Sequence, residues 1–285
     1  MPRLVKLGLL AALALIGSAG AARAEHTPSL DAGFRLMYEL RFVEARGQFA
    51  SWQQQHASDP FGYTAEAAAY LFEEFYRQGV LTSAFFLDDE KLLGGVAAKP
   101  NEALRSGFLA ANRRARELAQ QQLRANPRDA NALLALTLST GMLADYAALI
   151  EKKQLDSLRY VREAERQAKQ LLAVAPENAD AYLALGAANY IIGCLPMYKR
   201  FFLWFGGIRG DRKAGMEQLR MTAMRGHYLK PFAKMLLALA ALREKQDDLA
   251  RSLLAELNRE FPGQPLFARE LALVSKPRST VASSP

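Results

Sequence analysis

Side chains that could perform acid–base or metal chemistry are few and widely separated in this sequence. The three histidines, His26, His56 and His227, lie in different segments, and none stands at metal-ligand spacing from another histidine, a cysteine or a carboxylate pair. No HExxH motif, nucleophile elbow or glycine-rich phosphate loop is present. We therefore expect no metal, no cofactor and no enzymatic activity. An enzyme with a site of an unrecognised kind is the alternative.

Two further groups of residues have a possible chemical role and a simpler structural one. The run Asp88–Asp89–Glu90 could bind a cation, but an exposed acidic turn is the better interpretation, and the following Leu92–Pro100 is predicted to be a loop. Cys194 is the only cysteine, so no intrachain disulfide can form. Its apolar neighbours predict a buried, unreactive thiol, whereas exposure would make it reactive or open to mixed disulfides.

The tripeptide Arg209–Gly210–Asp211 is the one that integrin ligands display. Apolar residues at near-helical spacing follow it, and Gly206 and Gly207 precede it. Asp211 therefore stands where an N-cap belongs, with a carboxylate that can accept hydrogen bonds from the first turn of a helix. We predict a helix start here and no adhesion motif.

Long segments with apolar residues at three- and four-residue spacing predict the elements that must position these side chains. Examples are "ANALLALTLSTGMLADYAALI" and "KPFAKMLLALAALREK", while proline and glycine fall between such segments. Few stretches alternate apolar and polar residues as strands do. The pattern predicts an all-α protein.

Small residues and prolines repeat along these segments. Each copy has an alanine followed twelve residues later by a proline, with a small or apolar residue four positions after the alanine. The copies are Ala115 with Pro127, Ala164 with Pro176, and Ala250 with Pro262. A degenerate copy with Ala45, Phe49 and Trp52 lies near the N-terminus. The segment "AYLALGAANY" adds a Leu-Gly pair and a following aromatic residue.

These features resemble the tetratricopeptide repeat, a unit of about 34 residues. The resemblance implies a right-handed α-solenoid of antiparallel helix pairs, in which small residues let paired helices approach and proline ends each repeat. Pro127 and Pro176 lie 49 residues apart and Pro176 and Pro262 lie 86 apart, so longer helices or insertions must be present. We expect one solenoid domain over residues 25–274 and a disordered tail over residues 275–285.

The resemblance also implies a concave groove lined by the first helix of each pair. The positions that correspond to the family's groove are apolar: Leu134, Leu138, Met142, Leu183, Ala187, Tyr190, Phe232, Met235 and Leu239. Such a lining suits an apolar helix, an extended hydrophobic segment or an acyl chain. An inserted helix of this same chain could also fill it.

Two surface features have competing interpretations. Aromatic residues crowd the segment from Tyr198 to Phe205, which is either an element that binds a membrane interface or a partner, or a helix buried on two faces. The possible interface aromatics are Phe201, Phe202, Trp204 and Phe205. Arginines recur from Arg105 to Arg124, where they form a solvated helix face or bind acidic partners or anionic lipid.

The N-terminus has the organisation of a secretory signal peptide. Arg3 and Lys6 precede the apolar run Leu7–Ile16, and Ala22–Arg23–Ala24 predicts cleavage between Ala24 and Glu25. The apolar run is shorter than the roughly 20 residues that span a bilayer. Residues 1–24 carry three basic and no acidic side chains, so cleavage lowers the net charge from +8 to +5. We expect a soluble periplasmic protein with no nucleic-acid partner.

Fold and export together predict a non-enzymatic scaffold or assembly factor in a bacterial cell envelope, which binds a protein or peptide segment in its groove. The alternative is a carrier or sensor of a lipid or acyl chain, with a possible membrane-surface contact.

Overall fold

The computed structural model of the protein describes residues 29–195, 197 and 209–275. Within these residues the chain forms thirteen α-helices and one π-helical turn, and it has no strand. The predicted signal peptide, the aromatic segment Tyr198–Phe205 and residues 276–285 of the predicted tail lie outside the described residues. Ser275, the first residue of the predicted tail, is the last residue of a helix. The α-helices are α1 Leu30–Tyr38, α2 Phe42–Gln55, α3 Pro60–Arg77, α4 Ser83–Phe86, α5 Asp89–Gly94, α6 Glu102–Ala125, α7 Ala130–Asp145, α8 Gln154–Val174, α9 Ala181–Cys194, α10 Arg212–Arg225, α11 Lys230–Arg243, α12 Asp247–Glu260 and α13 Pro265–Ser275.

The long helices pack as successive pairs along the chain. The pairs are α1 with α2, α3 with α6, α7 with α8, α9 with α10, and α11 with α12, and α13 packs on the last pair. The first helix of each pair also contacts the first helix of the next pair. This arrangement confirms the predicted all-α solenoid. We call the surface formed by the first helices, α1, α3, α7, α9 and α11, the inner face.

Polar caps mark where several helices of the pairs begin. Asp129 accepts a hydrogen bond from the Ala132 amide at 2.9 Å, and Asp59 accepts one from the Phe61 amide at 3.0 Å. Pro60 follows Asp59 as the first residue of α3, where its missing N–H costs nothing. Each cap satisfies backbone donors that the first turn leaves without a helical partner.

Small residues bring the helices of a pair together, most clearly between α9 and α10. A Cβ atom added at Gly186 would lie 2.8 Å from the Leu219 amide nitrogen, and one at Gly215 would lie 2.5 Å from the Tyr190 amide nitrogen. Backbone thus packs directly against backbone at this point, because neither glycine has a side chain.

The inner faces of the first and last pairs meet, so the solenoid closes on itself. The rings of Phe34 on α1 and Tyr228 at the start of α11 stack with centroids 4.9 Å apart. The Tyr38 hydroxyl donates a hydrogen bond to the Tyr228 carbonyl at 2.9 Å. Phe72 on α3 and Phe232 on α11 meet edge to face at 5.1 Å. The inner face is consequently the hydrophobic core of the protein.

One stretch among the described residues, Ala130–Ile150, has the length and apolar composition of a membrane span. It comprises α7 and the π-helical turn Tyr146–Ile150, and 67% of it is buried inside the fold. Its apolar character is accounted for by its central place, where α3, α6, α8 and α9 surround it.

Candidate interaction surface

The nine predicted groove residues all lie on first helices, namely α7, α9 and α11. Six of them are buried: Leu134, Leu138, Leu183, Tyr190, Met235 and Leu239. Met142, Ala187 and Phe232 are half-buried. The structure therefore places the predicted positions on three neighbouring first helices, and other parts of this chain bury most of them.

Part of this cover is an insertion between the two helices of the second pair. We call residues 80–94, which include α4 and α5, the lid. Two glycines with left-handed backbone, Gly79 with φ +72° and Gly95 with φ +74°, stand at its ends. Residues 92–94 belong to α5, so the predicted loop at 92–100 is wrong in its first three residues. The apolar Leu92 is buried there and extends the helix.

The lid packs on the inner face through an aromatic contact. The Phe86 ring lies nearly parallel to the Tyr190 ring, with 10° between their planes and 6.2 Å between their centroids. Both residues are buried, with 7% of Phe86 and 1% of Tyr190 exposed. Helix α4 also contacts α11. An inserted helix thus occupies part of the predicted groove, as the sequence allowed, although it lies before the irregularly spaced prolines.

Polar contacts hold the same part of the lid. Arg243, at the end of α11, donates a hydrogen bond to the Phe86 carbonyl at 2.9 Å and forms an ion pair with Asp89. The Ser83 amide donates to the buried Glu270 carboxylate on α13 at 3.0 Å. Asp88 caps α5 by accepting from the Glu90 and Lys91 amides. The acidic run is therefore a helix start and an ion-pair partner.

The far end of the lid docks on the π-helical turn. In this turn the Glu151 amide donates to the Tyr146 carbonyl five residues back, at 3.0 Å. The Leu149 carbonyl instead accepts a hydrogen bond from the Val96 amide of the insertion, at 2.9 Å. A side chain at Gly95 would collide with the same carbonyl, since an added Cβ would lie 2.4 Å from it.

The buried carboxylate of Glu74 joins both ends of the insertion at its base. Glu74 accepts hydrogen bonds from Arg77 at 2.6 Å and from Gln78 at 2.8 Å, and both donors also reach the Lys99 carbonyl. Burial acts to raise the pKa of Glu74, but the hydrogen bonds and charge of Arg77 and the amide of Gln78 outweigh it, so that pKa lies below its ordinary value.

Tyr190 and Cys194 lie next to the site where the lid is anchored. The Tyr190 hydroxyl is 3.2 Å from both the Ala240 carbonyl and the Glu244 carboxylate, and burial raises its pKa. Cys194 is half-buried, and burial raises the pKa of its thiol although Arg243 is near. A raised pKa keeps the sulfur as the less nucleophilic thiol.

Asp180 has a structural role that the sequence did not reveal. Its side chain, 3% exposed, accepts hydrogen bonds from the amides of His227 and Tyr228, both at 3.0 Å, and of Leu229 at 3.3 Å. Burial raises its pKa although these amides favour the ionised form. One carboxylate at the start of α9 therefore holds the turn before α11, which also carries the closing residue Tyr228. The sequence Asn178–Ala179–Asp180 directly precedes α9, so it predicts a cap for α9. It does not predict that Asp180 binds the amides before α11.

The predicted helix start at Asp211 is confirmed. Its carboxylate accepts a hydrogen bond from the Ala214 amide at 3.0 Å at the beginning of α10. Gly210 packs against the backbone of α9, where an added Cβ would lie 2.3 Å from the Gly193 amide nitrogen. The tripeptide is thus part of a helix junction.

The other predicted functional groups do not converge. Among residues 29–195, 197 and 209–275, no three histidine, cysteine or carboxylate side chains are grouped so that they could hold a metal ion. Arg113 and Arg114 on α6 are exposed and lie within ion-pair distance of Glu117, at 4.0 and 3.7 Å, as on a solvated helix face. The candidate aromatics Phe201, Phe202, Trp204 and Phe205 lie outside the described residues.

Comparison with known proteins gives a structural likeness and no sequence match. No protein-family model matches the chain, and no curated protein matches its sequence. The crystal structure of a thermophilic TPR protein from Thermus thermophilus is similar, with 15% sequence identity, a TM-score of 0.44, and coverage of 86% of this chain and 98% of that chain.

Proposed function

We propose that the protein is a non-enzymatic interaction scaffold that binds a segment of a partner polypeptide on its inner face. The observation that carries the proposal is that this face already binds a polypeptide segment, the lid. It does so through an aromatic stack on Tyr190 and the donors of Arg243. Helical solenoids generally present such a surface to partners.

The scaffold acts in the periplasm of a two-membrane bacterium under this proposal. The support is the sequence of residues 1–24, with its basic start, apolar run and Ala-Arg-Ala cleavage pattern. An exported chain rarely meets nucleic acid, so its mildly basic charge does not indicate a nucleic-acid partner. An envelope location therefore favours a protein partner.

Native mass spectrometry of the mature protein, purified gently from its own envelope, tests the proposal. We expect masses of the mature chain, beginning at Glu25, with a bound polypeptide. A variant with Arg243→Ala is expected to carry less of that polypeptide, whereas Arg113→Ala on the solvated face of α6 is expected to retain it. The proposal would be contradicted if no bound polypeptide is detected under any condition. It would also be contradicted if Arg243→Ala carries as much polypeptide as the wild type.

The lipid-carrier alternative has one supporting observation, the apolar character of the inner face. Leu134, Leu183 and Leu239 line it, but each is buried by other parts of the chain. A bound lipid of defined mass in the same experiment would favour the carrier over the scaffold.

A further inference from the structure

The lid contacts the inner face through two anchors that are three residues apart. Phe86 supplies an aromatic ring and a carbonyl, and Asp89 supplies a carboxylate. Both anchors meet one small surface, made by Tyr190 and Arg243. Phe86 is the last residue of α4 and Asp89 is the first residue of α5, and the extended backbone of Asp88 between them directs both side chains to this surface.

The Tyr190 side of the receiving surface is held in place by contacts that do not involve the lid. The Tyr190 hydroxyl is fixed by the Ala240 carbonyl and by Glu244, which itself pairs with Arg212 at 3.1 Å. Arg243 is 15% exposed and lies at the end of α11. Its planar guanidinium has five donors and can serve a carbonyl and a carboxylate together. The contacts of Tyr190 therefore keep its ring in place for any chain that offers an aromatic side chain and a carboxylate.

The lid has little structure of its own to keep it there. Helix α4 has 4 residues and α5 has 6, far below the roughly 12–15 residues at which isolated helices become marginally stable. Its order therefore depends on the anchors and on burial of its apolar side chains. The connection that follows, Ala97–Lys99, is exposed.

We infer that the lid is an internal stand-in for the partner, which presents an aromatic residue three positions before a carboxylate and binds by displacing the lid. This inference rests on the proposed function and adds the chemistry of the partner segment. Exchange of the lid for a partner replaces the stack on Tyr190 and the Arg243 contacts with equivalent ones. It also releases the Ser83 hydrogen bond to Glu270 and exposes the buried lid side chains Phe85 and Leu92. The bound state then depends on the relative affinities and on the effective concentration of the tethered lid.

A fluorescent peptide with the lid sequence, residues 82–94, tests the inference by anisotropy with the full mature chain. In the wild-type chain the tethered lid competes, so binding is expected to be weak. In the Phe86→Ala chain, whose lid has lost its aromatic anchor, the peptide is expected to bind at least about tenfold more tightly. Peptides with Phe86→Ala or Asp89→Lys are expected to lose this gain.

A charge exchange identifies the receiving residue. In a chain with Phe86→Ala and Arg243→Glu, the natural peptide is expected to lose most of its binding, and the Asp89→Lys peptide is expected to recover it. A Phe86→Ala, Arg113→Glu chain is the matched control and keeps its preference for the natural peptide. If the peptide binds the wild-type and Phe86→Ala chains equally, or if the charge exchange restores nothing, the inference is overturned.

A second route covers the case in which Phe86→Ala fails to fold. A protease site built into the exposed residues 97–99 of the wild-type chain allows the lid to be cut at one end after folding. Cutting is expected to raise peptide affinity, and an unchanged affinity would refute the inference. If the peptide behaves as expected while no polypeptide is captured from the envelope, the lid is exchangeable but the proposed function fails. If a polypeptide is captured but the peptide cannot displace it, the proposed function stands and the lid inference fails.

Discussion

At the scale of single residues, the most consequential side chains are buried carboxylates that hold backbone amides of other segments. Asp180 and Glu74 each accept hydrogen bonds from residues beyond their own helix. A buried acceptor stabilises the fold less through its own bonds than through the cost of leaving its donors without partners. Both residues therefore give substitutions with a measurable effect.

Asp180→Ala is expected to lower the free energy of unfolding by about 2–4 kcal/mol, because it leaves three amides before α11 without their acceptor. Asp180→Asn keeps the Oδ1 atom that accepts from His227 and Leu229, so its loss is expected to be smaller. Urea unfolding followed by circular dichroism measures both. If both variants lose the same free energy of unfolding, the hydrogen bonds from the three amides do not stabilise the fold.

Glu74 predicts a pH dependence with a definite sign. Its pKa is lowered in the folded state, so its ionised form stabilises the fold above the ordinary glutamate pKa of about 4.3. That contribution is lost as the pH falls through the lower folded-state pKa. The difference in unfolding free energy between the wild type and Glu74→Gln is therefore expected to shrink from pH 7 towards pH 3. The exposed Glu177→Gln control is expected to differ little from wild type throughout, and a Glu74 difference that is constant with pH would contradict the assignment.

At the scale of elements, the contact between α9 and α10 depends on the absence of side chains. A methyl group at position 215 would lie 2.5 Å from a backbone nitrogen of α9, which cannot move as a side-chain end can. Gly215→Ala is expected to destabilise the protein by about 1–3 kcal/mol, as overpacking does.

Gly47→Ala is the matched control for this substitution. Gly47 is also inside a helix, but an added Cβ has nothing within 4 Å. Because alanine favours helix more than glycine does, this variant is expected to gain roughly 0.5–1 kcal/mol. Thermal unfolding is expected to show a lower melting temperature for Gly215→Ala and a higher one for Gly47→Ala. Shifts of the same sign would refute the close backbone contact at Gly215.

At the scale of the whole molecule, the closing contact around Tyr228 changes what a solenoid can offer. Each pair of an open solenoid contacts only its neighbours and leaves the concave side to solvent. Here Phe34 on α1 and Phe61 on α3 both pack on Tyr228, with centroids 4.9 Å away in each case. The inner face is therefore a core and not an open groove.

The sequence predicts features that depend on neighbours in the chain. Helical periodicity locates α7 and α11, the Asp211 cap marks the start of α10, and the position of Gly186 anticipates the close approach of two paired helices. The repeat pattern also places the nine groove positions on first helices. The sequence does not predict the contact of Phe86 in the lid with Tyr190, the hydrogen bonds from three amides to Asp180, or the closure at Tyr228. These contacts join residues that are far apart in the chain, by 190 positions for the hydrogen bond between Tyr38 and Tyr228, and no local pattern records them.

Site-specific photocrosslinking in living cells tests the central claim most directly, that the inner face receives a partner polypeptide. A photoreactive benzoyl-phenylalanine replaces the half-buried Met142 on the inner face or, as a control, the exposed Leu155 on α8. We predict a discrete crosslinked polypeptide from position 142, increased by Phe86→Ala in the lid, and none from position 155. Crosslinks from position 155 alone, or none from position 142 even when the lid is weakened, would contradict the account.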